Sequence, residues 1–413
     1  MSPDITTTLS RIAETYVTLV LSVGQHDESY VDAYYGPPQI QEEVKAEKKS
    51  LADIKVTAEK AIKELQLPDI GKEEEIIQLR HQYLLKQLQS LDARVEMLGG
   101  KKIFFDEEAR ALYDAIPPTF RESHFQGIIS EMDGILPGKG SVSEKYDEFK
   151  KEFIIPKDKL DVVFQSAIIE CRKRTKEYIE LPANESFTIE YVNNKPWSGY
   201  NWYKGNGFSL IQMNTDLPIY IDRAVDLAAH EGYPGHHVYN SLLEANLYRK
   251  RGWVEFSVYA LFSPQSLIAE GTANFGIEVV FPGAERVEFE KKTLFPLAGM
   301  DATKAEKYYK VHELFLKLAY AGNEAARGYL NGTMTRDEAA AWLVKYALMS
   351  PDRAQQRTRF FDTYRSYVIN YNLGQDLVKA YIEKRGGTPD KQQKRWEEFK
   401  KLISSPRLPS GLT

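Results

Sequence analysis

Ala228-Ala229-His230-Glu231-Gly232-Tyr233-Pro234-Gly235-His236-His237 holds three of the seven histidines of this 413-residue chain. A His-Glu pair closing an apolar helical run, with a further His one turn on, is how a helix offers two imidazoles to a metal and a carboxylate to its water. The usual spacing sets the two His four residues apart, whereas here the second comes six or seven residues after His230. Pro234 is the physical cause. It lies four residues after His230, so its ring meets that residue's carbonyl, and it has no N–H to donate. The helix must kink or break there, and Gly235 gives the bend its freedom. An unbroken helix, at about 100° per residue, favours His237 as the partner of His230. A turn loosened by Pro-Gly brings His236 round instead. The residues alone leave both open.

Outward from this stretch, Ile219 to Ala229 is an apolar helical approach, and one metal helix is expected over residues 219–250. Downstream, Ser263-Pro264 is a sound helix start, opening a second metal helix over 264–280. Glu270 lies two turns into it, beside the small residues Ala269, Gly271 and Ala273 that permit close helix approach. His230, one of His236 and His237, and Glu270 would make a three-ligand set with a fourth position open. That is a catalytic rather than a structural zinc arrangement, with Glu231 as general base. His/Glu ligation suits one Zn²⁺, and another divalent metal could take the same ligands.

His230-Glu231-x-x-Pro234-Gly235-His236-His237 resembles the H-E-x-x-P-G-H signature of the bacterial and archaeal domain-of-unknown-function family 885. Those proteins look like distant relatives of the gluzincin metallopeptidases. Glu270-Gly271 is similar to that family's downstream E-G-W-A helix, with Thr272 in place of the aromatic residue. Tyr371-Asn372-Leu373-Gly374 resembles a C-terminal Y-x-x-G element, although the preceding P-G-Q of many relatives is absent. The likeness spans roughly residues 185–385 and is strong only at the His-Glu-Pro-Gly-His core. It implies a zincin-like metallohydrolase with His236 as the second imidazole and His237 as its competitor. It further implies that Tyr371 stabilises the oxyanion, with Tyr367 and Arg365 as neighbours able to serve.

The rest of the chain supplies the frame. Residues 1–185 read as helices between turn clusters, including Ile5–Val23, Glu73–Leu98, Asp106–Ile116 and Lys157–Glu180. Ser186–Val192, Trp197–Lys204 and Phe208–Asn214 read as strands, the last two joined around Gly205-Asn206-Gly207. This β-hairpin element occupies residues 186–217. Helical spacing then returns and runs to about residue 403, with Thr335 and Glu338 at capping-box spacing. The expected architecture is mainly α with a small antiparallel sheet. An N-terminal helical region (1–185) would pack on a catalytic region (186–413) in one integrated domain. Phe208–Asn214, just upstream of the His helix, is the strand expected to offer an edge to an extended peptide.

Composition narrows the functions. Hydrophobic residues make up 43% and charged residues 27%, values of an ordinary globular protein, and a net charge of −5 offers no footprint for nucleic acid. Ile5–Val23 carries Arg11 and Glu14, so no membrane span is expected. The single cysteine, Cys171, cannot form an intramolecular disulfide, and a cytoplasmic protein is expected. It also lacks a His partner for cysteine hydrolysis. The reading is a zinc metallopeptidase acting on peptides. A metal-dependent amidase of small molecules and a non-catalytic binding protein are its rivals, and the intact Glu231 argues against the last. Exopeptidases grip a chain terminus with a charged group; Arg327, Arg357, Arg359 and Arg365 are all placed to do so, and the sequence singles out none.

Overall fold

A computed structural model describes residues 5–195 and 197–413 of the chain. The helices that position the site are α1 (Ile5–Val23), α2 (Glu75–Leu98), α3 (Leu160–Lys176), α4 (Asp222–Leu227), α5 (His236–Leu243), α6 (Pro264–Val280), α7 (Pro351–Tyr364) and α8 (Ile369–Lys384). The strands are β1 (Val31–Tyr34), β2 (Ser186–Val192), β3 (Gly199–Gly205), β4 (Phe208–Asn214) and β5 (Val258–Ala260). The fold is mainly helical with small sheets, as the hydrophobic periods predict. In α1, Leu9, Ile12, Tyr16, Leu19, Val20 and Val23 form the buried stripe. Thr335 and Glu338 close a reciprocal capping box on the helix Arg336–Tyr346. No helix among the described residues is long and apolar enough to cross a membrane.

The three-stranded sheet has the order β2-β4-β3. β3 and β4 form the expected antiparallel hairpin, and Gly205, Asn206 and Gly207 all take positive φ at its turn. β2 pairs with β4 in parallel, because the chain crosses from β2 to the far side of β4 before entering β3. This corrects the expectation that Phe208–Asn214 offers an edge. It is the central strand, both its ladders are taken, and the outer strands are β2 and β3. A second sheet pairs β1 with β5, both strands lying in stretches read as helical. Runs of four and three residues are too short to display a period of two.

Buried side chains form two apolar clusters. One gathers α3, α5, β4 and the last α-helix, Gln392–Ile403, and the other gathers most of α1 and α2 with α7. α6 and α8 belong to both: Leu267 joins one cluster and Ile268 the other, as Leu373 and Val378 do on α8. Where these two helices cross, Gly271 and Gly374 put backbone against backbone. A Cβ on Gly271 would lie 2.4 Å from the Gly374 carbonyl, and one on Gly374 would lie 2.7 Å from the Leu267 oxygen.

Candidate metal centre

The His stretch departs from a regular helix where Pro234 requires it. After α4, the residues Ala228–Gly232 form a widened turn: Tyr233 N–H donates to Ala228 O and Gly235 N–H to Ala229 O, both at 2.9 Å. Those bonds reach back five and six residues instead of four, and the surplus residues swell the turn. Gly235 then passes so close to the turn above that a Cβ there would lie 1.9 Å from the His230 carbonyl oxygen, so only glycine fits. α5 begins at once with His236.

This swollen turn places His236 Nε2 at 3.1 Å from His230 Nε2. His237 faces the other way. It is fully buried, with Nε2 3.0 Å from a Glu185 carboxylate oxygen and Nδ1 2.8 Å from the Ser209 hydroxyl. Both its nitrogens are engaged, so His237 does not compete with His236 at this centre.

Glu270 arrives from α6. Its Oε2 lies 3.3 Å from His230 Nε2 and 3.7 Å from His236 Nε2, and the three donor atoms fall within 4.8 Å of one another. The other oxygen accepts the Tyr367 hydroxyl at 2.8 Å. Oε2 itself is buried with no hydrogen-bond partner. A buried carboxylate oxygen left without a donor, facing two imidazole nitrogens, is the donor set that a divalent cation satisfies. Burial works against a charged ring at His236, yet Glu270, Glu231 and Asp32 outweigh it and hold the residue up at about 9. Burial would raise Glu270, but His230 and His236 hold its carboxyl far below the usual range.

His230 is oriented from behind. His230 Nδ1 donates to Asn274 Oδ1 at 2.9 Å, while Asn274 Nδ2 donates to the Tyr371 carbonyl oxygen at 2.9 Å. The second bond fixes which end of the amide meets the ring, and so puts the His230 proton on Nδ1 and the Nε2 lone pair toward the centre. Sequence reasoning missed Asn274, although it stands one helical turn after Glu270 on the same face.

Glu231 is buried next to His230 in the chain, and its backbone oxygen accepts Asn201 Nδ2 at 2.7 Å. Its carboxylate makes no hydrogen bond or ion pair among the described residues, and a Cβ on Gly199 would lie 3.1 Å from its Oε1. The first residue of β3 is thus bare where the carboxylate needs room. Tyr371 packs 5.8 Å, ring to ring, from Tyr367. Burial and the carboxylate of Glu270 push its phenol well above the ordinary range, so it stays a donor. Asp32 on β1 is a second residue the sequence did not reveal. It accepts the Tyr200 hydroxyl, and burial lifts it to about 6 against the pull of Tyr200 and His236.

Asp222, Asp226 and His312 also bring donor atoms together. There the negative charge is already met, with Arg286 at 2.8 Å and Arg223 at 3.3 Å from Asp226. Tyr308 donates to Asp222 as well.

No family model matches the chain, and no curated protein matches it. Among solved structures, a candidate lipoprotein from Colwellia psychrerythraea has a TM-score of 0.53 at 16% identity, over 87% of this chain and 68% of its own. That likeness shows a shared fold. A candidate lipoprotein of unknown function from Shewanella oneidensis follows at 0.48 and 13%, over 90% of this chain and 75% of its own. An M32 carboxypeptidase from Deinococcus radiodurans R1 aligns over 98% of this chain and 91% of its own, at a TM-score of only 0.37 and 12% identity. These last two are too distant to carry an argument. The resemblance to family 885 therefore stands on its motif residues alone.

Proposed function

We propose that the chain is a metal-dependent hydrolase, a zinc metallopeptidase cleaving peptide bonds. The observation that carries this reading is the convergence of His230 Nε2, His236 Nε2 and the unpartnered Glu270 Oε2 beside the free carboxylate of Glu231. A Zn²⁺ held by those three side chains would supply Lewis acidity, polarising the scissile carbonyl and easing the ionisation of water near neutral pH.

The protein's own groups do the rest. Glu231 takes the proton of the attacking water and returns it to the leaving amine. Tyr371, kept protonated by its surroundings, donates to the oxyanion. Tyr367 anchors Glu270, and Asn274 holds His230 in one tautomer. β3 is an outer strand that starts beside Glu231, so an extended substrate runs along β3, not β4. A cytoplasmic location belongs to this reading, since the lone, buried Cys171 requires no oxidising compartment.

Elemental analysis of protein purified without added metal or an affinity tag, wild type beside His230→Ala, tests the site. About one equivalent of zinc, absent from the variant, is expected. A pool of short peptides should then be cleaved by the wild type and left intact by Glu231→Gln with its metal retained. Failure of the wild type to hold or take up any divalent metal would overturn the hydrolase reading.

A further inference from the structure

Of the four arginines the sequence left equivalent, the structure separates one. Arg327 is ion-paired with Glu324 at 2.5 Å and Asp106 at 3.0 Å, and Arg365 with Glu108 at 2.7 Å. Arg359 is exposed on the outer face of α7. Arg357 is half-buried, forms no ion pair or hydrogen bond among the described residues, and has a buried Nε without any partner.

Its position joins it to the metal centre. The guanidinium carbon sits 4.4 Å from the Phe360 ring centroid and 5.9 Å from that of Phe361, which hold the side chain against the protein. Arg357 and Tyr364 are seven residues apart on α7, so they share one face, about 10 Å apart along the axis. From there an aromatic series leads inward: Phe360 to Tyr364 at 4.4 Å, Tyr364 to Tyr367 at 6.1 Å, and Tyr367 to Tyr371 at 5.8 Å. Tyr367 is the residue whose hydroxyl holds Glu270. Burial meanwhile lowers the guanidinium from its ordinary value, with no carboxylate to oppose it.

A guanidinium partly withdrawn from water, with a buried Nε and no counter-ion, is favoured by pairing with an incoming anion. Its planar fork matches a carboxylate in two parallel hydrogen bonds. We propose that Arg357 receives a substrate carboxylate, the free C-terminus of a short peptide, and so makes the centre selective for short peptides whose C-terminus is free. This inference rests on the peptidase reading for its substrate class, and its test is a binding measurement that does not depend on turnover.

The probe is a mixture of randomised tripeptides, as free acids and again as C-terminal amides. Equilibrium dialysis with mass-spectrometric counting measures binding to Glu231→Gln and to Glu231→Gln carrying Arg357→Gln or Arg357→Lys, with Arg359→Gln as the surface control. Free acids should bind Glu231→Gln at least about tenfold more tightly than amides. Arg357→Gln should erase that ratio, Arg357→Lys should restore part of it, and Arg359→Gln should leave it alone. The partial rescue by lysine separates loss of recognition from loss of fold. Amides retained only when they contain Asp or Glu, and lost with Arg357→Gln, would assign the carboxylate to a side chain and not the terminus. Equal binding of acids and amides, binding of neither, or a preference that survives Arg357→Gln would overturn the proposal. A preference that depends on Arg357 in a protein that hydrolyses nothing would sink the peptidase reading and leave this site standing.

Discussion

Asn274 shows at the residue scale how much of the centre lies behind its ligands. Its amide is clamped between the Tyr371 carbonyl and His230 Nδ1, and that clamp sets the tautomer that a metal at this centre would need. Asn274→Ala should keep the fold and lower zinc affinity by about 10- to 100-fold, measured by competition with a chromogenic chelator. Unchanged affinity would mean the ring is held by packing alone. The side chains that converge were legible from the motif, but three features were not. His236 wins over His237 because the turn widens by whole residues, an outcome periodicity could not decide. Tyr367, not Tyr371, bonds Glu270, and the two stand one turn apart with nothing in the sequence to rank them. Asp32 was invisible for a simpler reason: it comes from a short strand near the start of the chain, and only the tertiary fold brings it to the site.

At the scale of elements, the α6–α8 crossing gives the Glu270-Gly271 and Tyr371-x-x-Gly374 pairs their physical meaning. Each glycine stands where backbone meets backbone, and each is one turn or less from a site residue. Gly374→Ala must push α8 off α6, costing about 1–3 kcal/mol by overpacking and moving Tyr367 away from Glu270. Urea unfolding should show that loss together with weaker metal binding. A destabilised protein with unchanged metal affinity would uncouple the crossing from the centre. The start of α6 and the spans of β2 and β4 were readable, because a Ser-Pro start and short runs of β-branched and aromatic residues are local signals. Strand order was not. The parallel β2–β4 pairing depends on a crossover between distant segments, and the single-strand pattern of β4 looks the same at an edge or in the middle.

Across the whole molecule, two charged groups of side chains tie distant helices together, and they respond differently to solution conditions. In the first, Arg286 bonds both Asp226 and Glu290; Asp226 is partly exposed and has Arg223 as well, whereas Glu290 is fully buried and shares Arg286 alone. Burial lifts Glu290 from 4.5 to about 7 despite Arg286 and Tyr309. A folded value above the unfolded one gives stability that is complete below about 4.5 and is lost as pH rises through 7, an effect of about 2–3 kcal/mol. The urea midpoint of the wild type should therefore fall further between pH 5 and pH 8 than that of Glu290→Gln; parallel curves would remove Glu290 as the cause. In the second, His230, His236 and Glu270 join the widened turn after α4, the start of α5 and the middle of α6, the helix shared by both apolar clusters. An ion bound only by the native arrangement stabilises all of it by mass action, by about 2.7 kcal/mol at a hundredfold excess over Kd. Calorimetric melting should rise by a few degrees in buffered free zinc relative to chelator. Glu270→Gln should remove that rise and Glu290→Gln should not. A rise that survives Glu270→Gln would place the ion elsewhere, at the Asp222, Asp226 and His312 group, whose arginines it would have to displace.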